Sequence, residues 1–191
     1  MCVLCVNFTL KELEVKGVYL IEPRVFEDER GFFMETFSEG VFRALGVDFH
    51  VVQENHSHSR HGVLRGLHFQ RGEAAQAKLV RVVRGVVFDV AVDLRASSPT
   101  FGKHVWAILS EYNHSMLYVP RGFAHGFQVL SESADFVYLV DNPYNPGAEL
   151  GVVWSDPEIG VRWPIPNPIV SRKDFSLPTL RELASHGQLF P

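Results

Sequence analysis

Residues Lys78 to Leu94 read KLVRVVRGVVFDVAVDL, and this stretch decides the fold class. Valine dominates it, and β-branched side chains suit a pleated strand. Arg84-Gly85 interrupts the run with a turn. In the second half, Val86, Phe88, Val90 and Val92 alternate with Val87, Asp89, Ala91 and Asp93. Side chains alternate faces along a strand, so the face with two aspartates is expected to line something polar. Working outward, further strands are expected at Val105–Leu109, Met116–Val119, His125–Leu130 and Ala134–Val140. Ser98-Pro99, Tyr112-Asn113, Pro120-Arg121-Gly122 and Asn142-Pro143 supply the turns between them. Helical signals are few: Ser38 to Leu45 with Ser38 as N-cap, and Thr179 to His186 after Pro178. Many short strands with few helices between them point to an all-β antiparallel sandwich or barrel. Such a roll encloses a pocket, and a polar side chain facing inward there needs a partner, water or a ligand.

The chain has 191 residues, which suits a single domain over residues 1–191. Its 46% hydrophobic and 21% charged content is that of a soluble globular protein. A net charge of -4 advertises neither a nucleic-acid nor a membrane surface, so an anionic ligand requires a local basic pocket. Cys2 and Cys5 form a CxxC pair with no second pair to complete a zinc site, and read as free thiols in a reducing cytosol. The apolar stretch Met1 to Val6 is too short for a secretory signal, and a cytoplasmic location is expected. No run approaches the roughly 20 apolar residues of a membrane helix.

Polar groups concentrate in four segments. These are FEDERGFFME from Phe26 to Glu35, QENHSHSRHGVLRGLHFQ from Gln53 to Gln70, YVPRGFAHGF from Tyr118 to Phe127, and the stretch from Tyr138 through Tyr144 and Glu149 to Trp154, followed by Ser171-Arg-Lys-Asp174. GVLRGLHFQ, Lys78 ten residues after its histidine, RGVVFDVAVDLR, SPTFG at Ser98–Gly102 and PRGFAHGF at Pro120–Phe127 together resemble the dTDP-4-dehydrorhamnose 3,5-epimerase family. The order from DERGFF to SRKD is also similar, over roughly residues 18 to 180. The resemblance implies a cupin-type antiparallel jelly roll with a few short helices, a homodimer, and chemistry with neither metal nor organic cofactor.

Epimerisation beside a ketone needs a base on one face of the carbon, an acid on the other, and positive charge or donors at the ketone oxygen. His68 suits the base, Tyr138 the acid and Lys78 the fixed charge, while Asp174 can orient and stabilise the imidazole. The resemblance implies the same assignment. Arg65 and Arg30 suit a diphosphate, because a planar guanidinium bonds two phosphate oxygens at once. The resemblance adds Glu35, Gln53, Asn55, His125, Glu149 and Lys173 as substrate contacts and Tyr144 as a stacking surface for the thymine. It also implies that the site near Arg30 draws on the neighbouring subunit.

Plainer readings stand beside these. His125 could be a core histidine bonded to backbone, Tyr138 a packing residue of its strand, and Asp174 a cap for Phe175 to Leu180. Arg30 could make only an exposed ion pair with Asp28 or Glu29. His56, His58 and His61 invite a metal, but the second histidine of the first metal-binding cupin motif is missing from LHFQ, where Gln70 stands; the cluster reads as a polar loop. SPTFG reads as a turn. Rival functions are an enzyme inverting only C3 or only C5, a 3,4-ketoisomerase, and a non-catalytic sugar-nucleotide-binding cupin.

Overall fold

The turn at Arg84-Gly85 joins β7 (Lys78–Arg84) to β8 (Val86–Asp93), but these strands do not pair with each other. Each belongs to a different sheet, and Gly85 makes the corner with φ 84°. A Cβ there would lie 2.1 Å from the Ser133 carbonyl oxygen, so only glycine fits. A computed structural model describes residues 7–191, and Cys2 and Cys5 lie outside the described residues. The first sheet has six strands in the order β1 (Phe8–Glu12), β2 (Tyr19–Pro23), β10 (Met116–Val119), β7, β12 (Ser133–Val140), β5 (Gln53–Arg60). The second has five: β13 (Glu149–Gly151), β6 (Leu64–Gln70), β11 (Phe123–Val129), β8, β9 (His104–Ser110). A separate hairpin pairs β3 (Val25–Asp28) with β4 (Gly31–Met34). Every strand pairing in the two sheets is antiparallel, and the arrangement is a cupin-type jelly roll.

Between the sheets lies a core of Val80, Val82, Val87, Ala91, Leu109, Leu117, Phe127 and Phe136, among others. Phe127 of β11 and Phe136 of β12 stack across the interface with ring centroids 4.1 Å apart. Burying each such side chain stabilises the fold by about 1.5–3 kcal/mol. The outer faces are covered too. Phe88, Val90 and Val92 pack against Val152, Ile159, Leu180 and Leu183 from the C-terminal segment. Ile21, Leu79 and Met116 pack against Phe42, Val47 and Phe49 from α1 (Glu39–Ala44) and the chain after it. With both faces buried, β8 and β11 read as nearly continuous apolar runs.

The short helices form close to where the sequence places them. α1 follows Ser38, although the Ser38 side chain makes no capping bond. α3 (Leu180–Ser185) carries a capping box between Thr179 and Glu182. α2 (Arg172–Phe175) is capped by Ser171, whose hydroxyl accepts from the Asp174 N–H at 3.0 Å. Ser98–Gly102 is a turn, as expected; Ser98 and Thr100 donate to the Asp93 carboxylate at 2.6 and 2.7 Å. Asp93 therefore anchors a turn rather than facing a pocket.

The segment expected as a polar histidine loop is instead mostly strand. His56 and His58 lie on the outer face of β5, 3.2 and 3.0 Å from Asp135 on β12. His61 follows the strand, with Nδ1 against the Leu130 and Ser131 carbonyl oxygens. Edge strand β5 has the cavity on one side and solvent on the other, so it carries no apolar face to mark it as a strand.

Candidate active site

The two sheets part at one end around adjoining cavities of about 440 and 370 Å³, both lined by His68, Lys78 and Tyr138. His68 comes from β6 of the five-stranded sheet, whereas Lys78 and Tyr138 come from β7 and β12 of the six-stranded sheet. The imidazole and the phenol therefore enter from opposing walls. His68 and His125 are register partners across β6 and β11. Two glycines permit that close approach: a Cβ on Gly66 would stand 2.6 Å from the Gly126 Cα.

Behind His68, Asp174 is nearly buried, with Oδ1 2.8 Å from His68 Nε2 and Oδ2 accepting the Gly66 N–H at 3.3 Å. It caps no helix with its side chain; Ser171 does that. Burial alone would raise the Asp174 pKa, but the bonds from His68, Gly66 and Ser171 hold it below the ordinary carboxylate value. An ionised Asp174 accepts a hydrogen bond from Nε2–H, which leaves the Nδ1 lone pair of His68 free. Burial pushes the Tyr138 hydroxyl above its ordinary pKa, with Arg65 opposing, so the phenol keeps its proton at neutral pH. Lys78 is half-buried, and desolvation lowers its pKa to about 8 against the pull of Asp89 and Glu149. It is still mostly cationic at pH 7.

The other expected residues fall into two groups. Arg65, His125, Lys173 and Asp174 line the larger cavity; Gln53, Asn55, Tyr144 and Glu149 line the smaller one. Arg65 is steadied by its Nε donating to Ser59 Oγ at 2.9 Å. Gln53 donates to Asn55 Oδ1 at 2.7 Å and accepts the Tyr144 N–H at 3.0 Å. Glu149 accepts from the Tyr144 hydroxyl at 2.7 Å and pairs with Lys173, tying the rims of the two cavities together. His125 lines the cavity, and its Nε2 meets the Asp89 carboxylate rather than backbone.

Arg30 and Glu35 are not brought to this place within one chain. Arg30 tips the β3–β4 hairpin, its side chain 83% exposed and paired with Asp28, beside Phe26, Phe32 and Phe33. Glu35 accepts from Asn7 Nδ2 at 3.1 Å. Sequence reasoning did not single out Gln76 or Ser57 as lining residues, nor Asp89 as the partner of His125. Only Asp89 left a signal, as a charge on the inward face of a valine strand. No group of three or more His, Cys, Asp or Glu among the described residues is arranged to hold a metal ion. No described helix is long and apolar enough to cross a membrane.

The sequence model described as dTDP-4-dehydrorhamnose 3,5-epimerase matches residues 12–182. The chain belongs to the dTDP-4-dehydrorhamnose 3,5-epimerase family. The Shigella flexneri dTDP-4-dehydrorhamnose 3,5-epimerase is 55% identical over 164 residues, covering 85% of this chain and 91% of the relative. A Legionella pneumophila epimerase solved in complex with dTDP-4-keto-L-rhamnose superposes with a TM-score of 0.91 at 42% identity, covering 96% and 97% of the two chains. A 3'-monoepimerase from Streptomyces bikiniensis, in complex with dTDP-quinovose, is also similar, at TM-score 0.88 and 36% identity over 93% and 91%. Like the family, this chain is an isomerase.

Proposed function

We propose that this protein inverts C3 and C5 of dTDP-4-dehydro-6-deoxy-D-glucose, giving dTDP-4-dehydro-L-rhamnose. The observation that carries the reading is the seam where His68, backed by Asp174, faces Tyr138 from the opposing sheet beside half-buried Lys78. On this reading His68 Nδ1 takes the carbon-bound proton next to the C4 ketone. Asp174 stabilises the imidazolium that forms. The Lys78 ammonium faces the enolate oxygen, where fixed positive charge acts most strongly in a desolvated site. Tyr138 then returns a proton to the opposite face of the carbon. The same step serves C3 and C5, since both flank the ketone. The proton count closes when His68 releases its proton to solvent and the Tyr138 phenolate regains one. No metal or organic cofactor enters these steps.

Arg65 is assigned to the diphosphate, Tyr144 to stacking on the thymine, and Gln53, Asn55, His125, Glu149 and Lys173 to substrate contacts. Stacking of a base on an aromatic ring contributes about 1–3 kcal/mol. Arg30 and Glu35 complete the site of a second copy in a homodimer. The support is the hairpin itself, which stands apart from both sheets and exposes Phe26, Phe32 and Phe33 next to Arg30. A cytoplasmic setting and a single catalytic domain belong to the same proposal.

Turnover in heavy water tests the chemistry. Deuterium should enter at C3 and C5 of the product; a product labelled at neither position rejects the reading. Label at C3 alone, with C5 unlabelled, would instead assign the chain the single inversion for which the Streptomyces bikiniensis relative is named. For the shared site, Arg30→Ala and His68→Ala chains are each expected to be nearly inactive alone. An equimolar, re-equilibrated mixture should regain about a quarter of the wild-type rate, since about half of its dimers are mixed and each of those has one of two sites intact. No recovery on mixing would place Arg30 outside the partner's site.

A further inference from the structure

The interior holds a charged group that the proposed chemistry leaves unused. Asp89 is 0% exposed, deep in β8, and lines neither cavity. Both of its carboxylate oxygens lie close to one nitrogen, His125 Nε2, at 2.9 and 3.0 Å. His125 itself is 7% exposed and lines the larger cavity together with Lys78. A carboxylate buried this completely is costly unless positive charge compensates it. Burial pushes the Asp89 carboxyl above its ordinary pKa, and two neighbours oppose this by favouring the carboxylate, the His125 imidazole and the Lys78 ammonium.

We infer that Asp89 is a positioning residue for the epimerase reaction, fixing the His125 ring with its Nε2 proton directed away from the cavity and holding Lys78 in its charged form. The inference rests on the epimerase reading of the site. Asp89 touches no substrate; it acts through the two groups that do. With Nε2–H committed to Asp89, only Nδ1 of His125 remains for the sugar. A neutral ring then accepts a hydrogen bond at Nδ1, and a protonated ring donates one there. For Lys78, burial works against the ammonium, while Asp89 and Glu149 are the negative charges that support it. Besides His125, Lys78 and Glu149, the ionisable groups around the same cavities are His68 and Arg65 of β6, Tyr138 of β12, Tyr144 in the chain after it, and Lys173 and Asp174 of α2. Of these, only Asp174 adds negative charge at neutral pH, and it is committed to His68. Removing the Asp89 charge should therefore cost Lys78 its proton at lower pH.

The test is the pH profile of kcat/KM for Asp89→Asn, an isosteric change that keeps an acceptor for Nε2–H. Wild type should lose activity on the alkaline side as Lys78 deprotonates near pH 8. In Asp89→Asn that limb should move down by about one unit, the effect of removing a nearby opposite charge. At pH 7 the charged fraction of Lys78 then falls from about nine-tenths to about half, so kcat should drop about twofold, with KM little changed. A limb that stays in place, in a folded variant, overturns the inference; a purely structural role would lower the melting temperature without moving the limb. Should the variant fail to fold, nitrogen-15 NMR of the wild-type histidines supplies the second measurement: His125 should carry a proton on Nε2 at pH 7, and a bare Nε2 overturns the inference. The outcomes separate cleanly. Absent deuterium entry in wild type sinks the epimerase reading, whereas normal entry with an unmoved limb sinks only the role of Asp89.

Discussion

Replacing Asp174 by asparagine preserves the shape of the side chain and removes one charge. Asp174 Oδ1 lies 2.8 Å from His68 Nε2. The charge centres of a carboxylate–imidazolium pair in that geometry are about 4 Å apart, worth about 4 kcal/mol at an effective dielectric near 20. The His68 side chain is 28% exposed, so solvent screens part of this. About 3 kcal/mol remains, and because the imidazolium exists only once the proton has moved, the loss falls on the transition state. At 1.36 kcal/mol per decade, that is roughly a 150-fold fall in kcat. A second effect adds to it. The asparagine amide can donate toward Nε2, which would shift the ring proton to Nδ1 and disable the base, as the tautomer error does in serine proteases. The expected fall is therefore roughly 10²- to 10³-fold, with KM within about threefold. The assay is the initial rate of deuterium entry into the sugar at saturating substrate, on protein whose near-ultraviolet circular dichroism matches wild type. A kcat within threefold of wild type would refute the argument that Asp174 stabilises charge on His68.

Tyr138→Phe leaves the base and Lys78 in place, so solvent exchange at the sugar carbons should persist while inverted product forms roughly 10²-fold more slowly; equal losses of exchange and inversion would contradict separate roles for the two residues. Asp93→Asn should destabilise the fold by about 3 kcal/mol, because its buried carboxylate bonds Arg95, Ser98 and Thr100. Burial would raise the Asp93 pKa, but those bonds hold it below 3.8. Its stabilisation is therefore present above that pH and lost as pH falls through the lower folded value. Urea melts should show the gap between wild type and variant narrowing on acidification; a constant gap would be contrary evidence. Gly66→Ala puts a Cβ 2.6 Å from the Gly126 Cα at a residue with φ 141°, and should cost about 3 kcal/mol or more. A melting temperature within about 2 °C of wild type would show that β6 can move away from β11.

Which elements were legible follows from where their side chains go. β7, β8, β10, β11 and β12 carry valine and phenylalanine toward buried faces, so their composition marks them as strands. His56–His61 reads as a loop in the sequence because most of it belongs to β5, whose QENHSHSR faces the polar cavity on one side and solvent on the other. The β3–β4 hairpin escaped for a related reason: its phenylalanines stay exposed in the single chain and give no buried alternation. In the site, motif order supplied residue identities for both cavity groups, because side-chain chemistry is written in the chain. Asp89 was legible as a polar residue on an inward face, but its partner His125 is 36 residues away on the next strand.

The chain alone determined the class of structure and the chemical repertoire: valine-rich strands, a basic and aromatic set for a nucleotide sugar, and one imidazole in a recognisable motif. It could do so because β-propensity and side-chain chemistry are local properties. Tertiary structure decided which sheet each strand joins, and hence that His68 and Tyr138 face each other, that Asp174 reaches His68 from 106 residues away, and that Arg30 stands outside its own cavity. Alternation specifies two faces of a strand but not what lies across from either, and that is set only when Gly85 turns the chain from one sheet into the other.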